Sequence, residues 1–290
     1  MLSEEWLSKL GLGKLSASAV AGGDVNEAYK LTNDRGQNYF LLVQPDHPAS
    51  FYAAEIAGLK LFAQAGINAP QVLDKGQIDE DAYLLLSYLE SGTGSQRDLG
   101  RLVAKLHQQA SPNGKFGFDY PLEWTGVAFN NSWTATWSDL FLNKRMNPLK
   151  ESLLAEGLWT EDDAASYDQA EKIMAAVLAS HTSQPVLCHG DLWAGNYMFD
   201  AQGRPALIDP AALYGDREFD IGITTVFGGF DQDFYAAYQE VLPLDAGWQQ
   251  RIEFYRLYLL MVHLKKFGPA YYEPVAASLA RIIAGGQENE

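Results

Sequence analysis

The chain has 290 residues, with 21 Lys+Arg against 37 Asp+Glu, a formal charge of −16 and 47% hydrophobic content. That length predicts two domains, or one domain of two lobes, with a sizeable core. So acidic a balance repels nucleic-acid backbones and anionic membrane surfaces, which argues against both as partners. Cys188 is the single cysteine, so an internal disulfide and a thiolate-rich metal site are excluded. The opening MLSEEWLSKLGLGK carries two early glutamates and no continuous apolar region, unlike a secretory signal. The longest apolar stretch, Phe254 to Leu264, is broken by Arg256 and His263 and is too short to span a bilayer. A cytoplasmic protein is expected.

In chain order, Leu15–Gly22, Asn26–Thr32 and Asn38–Gln44 are short strand-like runs separated by GGD and NDRGQ, which predicts an antiparallel three-strand meander. Ser50 is placed as the N-cap of a helix reaching Gln64, with Ile56, Leu59 and Leu61 on its apolar positions. AYLLLSYL, Ala82–Leu89, reads as a buried strand running into a connector. Beyond Gly94 the periodicity turns helical: residues 96–109, then segments near 133–156, 160–180, 231–240, 245–266 and 271–284. Between them lies Val186–Ala211, whose runs NYMF and ALID flank a DAQG turn, a hairpin signal. The outline is an α+β protein of two lobes: residues 1–90, with a small antiparallel sheet, and residues 91–290, a larger helical lobe. The expected cleft lies between them.

HGDLWAGN, His189–Asn196, is the densest polar cluster in an apolar setting, and Asp209 follows at the end of the next strand-like run. Phosphoryl transfer needs such a set: a carboxylate to accept the nucleophile's proton, and an amide oxygen plus a second carboxylate to hold Mg²⁺ on nucleotide phosphates. Asp191, four intervening residues, Asn196 and then Asp209 reproduce the kinase pattern, with Gly190 where an arginine is usual. Taken singly, each is also an ordinary turn residue; the spacing between strands is what favours a phosphotransferase. In the first lobe, Gly22 and Gly23 of AGGDVNEAY permit close approach of backbone N–H groups to phosphates, although Gly-Gly-Asp is equally a hairpin turn. Glu55 stands where a kinase places the carboxylate that orients a phosphate-binding lysine, and a solvated helical glutamate is the competing reading. His189 is read as a structural loop histidine and Cys188 as a buried strand residue; no other histidine shows metal-ligand spacing.

These blocks resemble the fructosamine kinase (ketosamine 3-kinase) family, related to aminoglycoside and choline kinases. HGDLWAGN is similar to the family's HGDLWSGN, with Ala194 in the serine place. Leu207–Gly222, FGGF (Phe227–Phe230), KFGF (Lys115–Phe118), Trp133 and Trp137 before Phe141 and Arg145, and Phe254–Gly268 also match. The resemblance implies a protein-kinase-like fold and transfer of the ATP γ-phosphate to the 3-hydroxyl of a sugar joined to an amine, a step in deglycation. It implies Asp191 as catalytic base, Asn196 and Asp209 as Mg²⁺ ligands, and Gly22, Gly23, Asn26, Glu55 and Tyr88 as nucleotide-site residues. Trp193, Asp216, Glu218 and Asp220 would lie near the substrate mouth or support the metal loop. The acceptor is a small sugar amine, with glycated lysines of proteins in the same chemical class. One departure stands out: the family's third-strand lysine is Leu42 here, in FLLVQ, and Lys30 on the second strand is a neighbouring cation. That departure motivates the alternative of a weak or inactive nucleotide-binding pseudokinase. A metal-dependent hydrolase built on His189 and Asp191 is a third reading.

Overall fold

A computed structural model describes residues 2–20, 26–124 and 127–287. The chain divides into two compact units, Met1–Ser95 with Gly195–Pro210, and Gln96–Ala194 with Ala211–Glu290.

In the first unit, β1 (Leu15–Ala19), β2 (Glu27–Asn33), β3 (Asn38–Gln44), β4 (Val72–Ile78) and β5 (Asp81–Ser87) form an antiparallel sheet in the order β1-β2-β3-β5-β4. Alternation along β3 sends Leu41 and Val43 to one face, with Tyr29, Leu31, Leu85 and the Trp6 and Leu7 side chains of α1 (Glu4–Ser8). It sends Leu42 to the other face, with Ala28, Leu84, Leu86, Tyr52, and Ile56 and Leu59 of α2 (Ala53–Gln64). Both faces are covered, which is why β3 and β5 read as unbroken apolar runs. Sequence periodicity missed β4. Its Asp74, Lys75 and Gly76 break the apolar pattern, and an edge strand tolerates such residues because one side has no neighbour to pack. Helix α2 starts at Ala53 rather than Ser50, because Phe51 N–H donates to Pro48 O and Ala53 N–H to Ser50 O in tighter turns.

The same unit holds the expected hairpin: Tyr197–Phe199 pairs with Pro205–Leu207, with Leu207 opposite Tyr197. Leu207 N–H donates to Asn68 O at 2.9 Å, and Asn68 Nδ2 to Pro205 O at 3.0 Å, which ties the hairpin to the segment after α2.

The second unit is helical: α3 (Gln96–Leu106), α4 (Asn147–Ala155), α5 (Glu161–Ser180), α6 (Arg217–Thr224), α7 (Gln232–Val241), α8 (Trp248–Phe267) and α9 (Tyr272–Gln287). Thr160 and Asp163 form a reciprocal cap that starts α5. Helix α8 is buried on nearly every side, from Ile252 and Phe254 to Leu264, so it lacks an amphipathic stripe and reads in the sequence as a nearly continuous apolar run. Trp137, Phe141, Phe219, Tyr255 and Tyr258 pack ring on ring beside it. The predicted helix near 133–156 begins later, with a π-helix at Asp139–Met146 running into α4, because Thr134 instead pairs with Phe116 as an isolated bridge. Helix α6 was not anticipated: eight residues are too few for a clear period, and its N-cap, Asp216, is its main local signal. Among the described residues no helix is long and apolar enough to cross a membrane.

Candidate active site

The HGDLWAGN segment leaves the buried strand Val186–Cys188, which pairs with Leu213–Gly215. Its turn is held by one carboxylate. Asp220 of α6 is fully buried; His189 N–H donates to its Oδ2 at 2.6 Å and Gly190 N–H to its Oδ1 at 2.9 Å. His107 of α3 completes the anchor, with Nε2 3.0 Å from Asp220 Oδ2 and Nδ1 2.8 Å from the Tyr238 hydroxyl. This network assigns the proton to Nε2, so that Nδ1 accepts from the tyrosine. Burial pushes the Asp220 carboxyl up, but the His107 bond and the surrounding donors outweigh it and hold it below the usual carboxylate range. Gly190 has φ +84°, and a Cβ there would stand 2.0 Å from Ala211 O. The usual kinase arginine is therefore excluded by backbone geometry as well as absent. Asp191 follows half-buried, its N–H donating to His189 Nδ1 at 3.3 Å, and Trp193 beyond it is exposed.

Asp216 and Glu218, expected near the substrate mouth, lie in the interior at 2% and 0% exposure. Asp216 caps α6 by accepting from Glu218 N–H, and takes bonds from the Ser183 hydroxyl and from His181 Nε2 at 3.2 Å. Glu218 receives both Arg251 Nε at 2.6 Å and Nη2 at 2.8 Å. Their oxygens are committed to internal partners, which corrects the expectation of a substrate-facing pair. Cys188 is buried as expected, with its thiol pushed well up by burial.

The remaining predicted residues belong to the sheet unit. Ile208 N–H donates to Asn196 O at 3.0 Å, so the open end of the hairpin brings Asn196 beside the segment that carries Asp209. Asn196 is 5% exposed. Asp209 turns with φ 51°, a left-handed conformation that costs on the order of 1 kcal/mol outside glycine. It keeps an open side, while loss of solvent on the other raises its carboxyl pKa. Glu55 is not the solvated helical glutamate: its Oε1 is buried without a hydrogen-bond partner. Burial, then the Asp209 charge, pushes its pKa up to about 8. Tyr52 donates to Asn26 Oδ1 at 3.2 Å, and its own hydroxyl pKa is raised by burial and by the Glu55 and Asp209 charges. Asn26, Tyr52, Glu55 and Asp209 thus gather on one side of the sheet. Leu42, 5% exposed, sits there in the apolar cluster. Lys30 lies on the same face by register, but its Nζ stands 4.5 Å over the Tyr88 ring. Gly22 and Gly23 lie outside the described residues.

Two further groups could be mistaken for metal centres. His107, Cys188 and Asp220 converge, as do His181, Glu218 and Asp245. In the first, His107 and Asp220 bond each other and the loop backbone; in the second, Glu218 is occupied by Arg251 and His181 by Asp216. Hydrogen bonding accounts for both, and neither supports the hydrolase reading.

A family model described as fructosamine kinase matches residues 5–285. The chain belongs to the fructosamine kinase family. A protein of Staphylococcus aureus named as a probable ketoamine kinase is 54% identical over 284 residues, covering 97% of this chain and 98% of that one. The chloroplastic protein-ribulosamine 3-kinase of Oryza sativa is 29% identical over 261 residues, 88% of this chain and 75% of that one. The crystal structure of a fructosamine-3-kinase candidate from Haemophilus somnus superposes with TM-score 0.83 at 25% identity, covering 97% and 96%. The aminoglycoside phosphotransferase APH(4)-Ia, in its complex with ADP and hygromycin B, has TM-score 0.70 at 17% identity over 98% and 97% of the two chains. The fold is protein-kinase-like and the family is one of small-molecule kinases. The pseudokinase alternative gains no support from these relatives.

The Asp209 carboxylate, the Asn196 amide and the Glu55 Oε1 that lacks a hydrogen-bond partner are hard oxygens, the kind of donor a divalent cation such as Mg²⁺ prefers. The structure adds two residues that the sequence did not flag. His107 shows no metal-ligand spacing and Tyr52 carries no local signal; each gains meaning only from contacts distant in sequence.

Proposed function

We propose that this protein is an ATP- and Mg²⁺-dependent cytoplasmic kinase that phosphorylates a hydroxyl, the 3-OH, of a ketosamine such as a fructosyl- or ribulosyl-amine, and so serves deglycation. The observation that supports this best is the loop carrying Asp191, whose preceding two backbone amides are fixed on the buried carboxylate of Asp220. In this reading residues 1–90 bind the nucleotide and 91–290 carry catalysis and substrate recognition. Asp191 accepts the proton of the sugar hydroxyl as that oxygen bonds to the γ-phosphorus, while the bond to the β–γ bridging oxygen breaks and ADP leaves. Asn196 and Asp209 would hold Mg²⁺, which would supply positive charge to the phosphate oxygens. Asn26, Glu55 and Tyr88, with Gly22 and Gly23, form the nucleotide side. Trp193, exposed two residues after Asp191, offers its ring face to the sugar. Asp216, Glu218 and Asp220 position the loop and α6 without touching substrate. A ketosamine nitrogen is cationic at neutral pH, and the acidic chain attracts it. Glycated lysine side chains on proteins present the same group.

Phosphorus NMR with Mg²⁺-ATP and a panel of ketosamines tests this: a sugar-phosphate signal that disappears in Asp191→Ala is expected. Turnover unchanged in that variant would overturn the assignment of Asp191.

A further inference from the structure

In a kinase that keeps its third-strand lysine, the helix carboxylate has a cation beside it. Here that place is Leu42, packed against Ala28, Tyr52, Ile56, Leu59 and Leu84. Lys30, on the same face, is directed to Tyr88. Glu55 is therefore left with a buried oxygen that no described residue satisfies, and its neighbour Asp209 repels it. A buried carboxylate oxygen without a donor is costly, and protein interiors leave few such atoms unsatisfied. The groups that act on it or lie next to it are oxygen donors: the Asp209 carboxylate, whose charge bears on Glu55, and the Asn26 amide oxygen that accepts from Tyr52; Asn196 is held beside the Asp209 segment by the bond from Ile208 N–H to its backbone oxygen. A soft or nitrogen-seeking metal would find no thiolate or imidazole among them.

We infer that Glu55 is a direct ligand of the divalent cation, joining Asp209 and Asn196, so that in this chain the cation supplies the positive charge that a lysine at position 42 would supply. The inference rests on the proposed metal role of Asn196 and Asp209 and extends it to a third protein ligand. Three oxygen ligands, two of them carboxylates, bind a hard cation without nucleotide present, whereas a site of one carboxylate and one amide depends on the phosphates for most of its affinity. The apolar packing of Leu42 then has a function: it leaves Glu55 without a cationic side chain as partner and so available to the metal ion.

The test is binding of Mn²⁺ alone to the nucleotide-free full chain, read by the electron paramagnetic resonance of free Mn²⁺, with the Mn²⁺-induced rise in melting temperature as a second readout. Glu55→Gln, close in shape and uncharged, is expected to weaken Mn²⁺ at least tenfold and to lose most of the thermal shift. Leu42→Lys is expected to weaken it comparably by placing an ammonium beside Glu55, while Leu42→Ala, which alters packing but adds no charge, keeps the parent affinity. Mn²⁺ affinity within twofold of the parent in both Glu55→Gln and Leu42→Lys, with the thermal shift retained, would overturn the inference. Equal weakening in Leu42→Ala and Leu42→Lys would also overturn it, since packing rather than charge would then govern the site. Mn²⁺ binding that depends on Glu55 in a protein that phosphorylates no ketosamine would uphold this inference while refuting the substrate reading.

Discussion

Asp220→Asn replaces a buried anion with an amide of the same shape at the anchor of the Asp191 loop. The carboxylate accepts three bonds, from His189 N–H at 2.6 Å, Gly190 N–H at 2.9 Å and His107 Nε2 at 3.0 Å, at 0% exposure. Oδ2 takes two of these and Oδ1 the third. With the amide oxygen in the Oδ2 place, two bonds survive without charge assistance, and the new NH₂ faces the Gly190 N–H, donor against donor. Losing charge assistance costs about 1 kcal/mol per surviving bond, and the orphaned N–H about 1–3 kcal/mol. The total is about 3–5 kcal/mol, a large part of a typical folding free energy. With an unfolding entropy of about 2.1 cal/mol/K per residue, a chain of 290 residues would show a fall in melting temperature of roughly 5–8 °C. Differential scanning fluorimetry measures it, with turnover followed at a temperature where the variant remains folded. Turnover should fall with the loop's order. A melting temperature within 2 °C of the parent and unchanged turnover would refute the claim that Asp220 fixes this loop.

Gly190→Ala must move the Ala211 carbonyl from a 2.0 Å approach and strain a φ of +84°, so turnover is expected to collapse with a marked fall in stability; retention of both in a thermal and kinetic assay would contradict the geometry. Arg251→Ala strands Glu218 in the interior and should cost about 3–5 kcal/mol, read as a lowered urea midpoint. The pH dependence follows from His181 and Asp216. The hydrogen bond with Asp216 raises the His181 pKa, so its contribution is full below pH 6.5 and is lost as pH rises through the folded value. Burial pushes Asp216 up, but its bonds from His181 and Ser183 prevail and lower it, so its contribution is present above pH 3.8 and is lost on acidification through its folded value. Melting curves of His181→Gln should lack the parent's decline as pH rises above 6.5; an unchanged alkaline slope would exclude that pair as its source.

The parts of the fold that stand out in the sequence are those whose pattern is local. The apolar runs of β3 and β5 and the DAQG hairpin are written in consecutive residues. So is the spacing of Asp191, Asn196 and Asp209. What the sequence concealed depends on distant contacts. Asp220 and His107 are 113 positions apart, and nothing near either announces the other. Asp216 and Glu218, expected near the substrate mouth or in support of the metal loop, are internal, where Arg251 and His181 reach them from α8 and from the turn after α5. Glu55 is the instructive case: its helix begins with no side-chain cap, and its neighbours Ile56 and Leu59 mark the apolar face, but that its own Oε1 is buried without a hydrogen-bond partner depends on how α2 packs on the sheet, which no local pattern states.

The decisive measurement is the phosphorus NMR spectrum of the purified protein with Mg²⁺-ATP and fructosyl- and ribulosyl-amines, run beside Asp191→Ala. A new sugar-phosphate resonance that grows with ADP in the parent and is absent in the variant is the predicted result. ATP left intact with every ketosamine, under conditions where the nucleotide is shown to bind, would contradict the assignment of this chain as a ketosamine kinase.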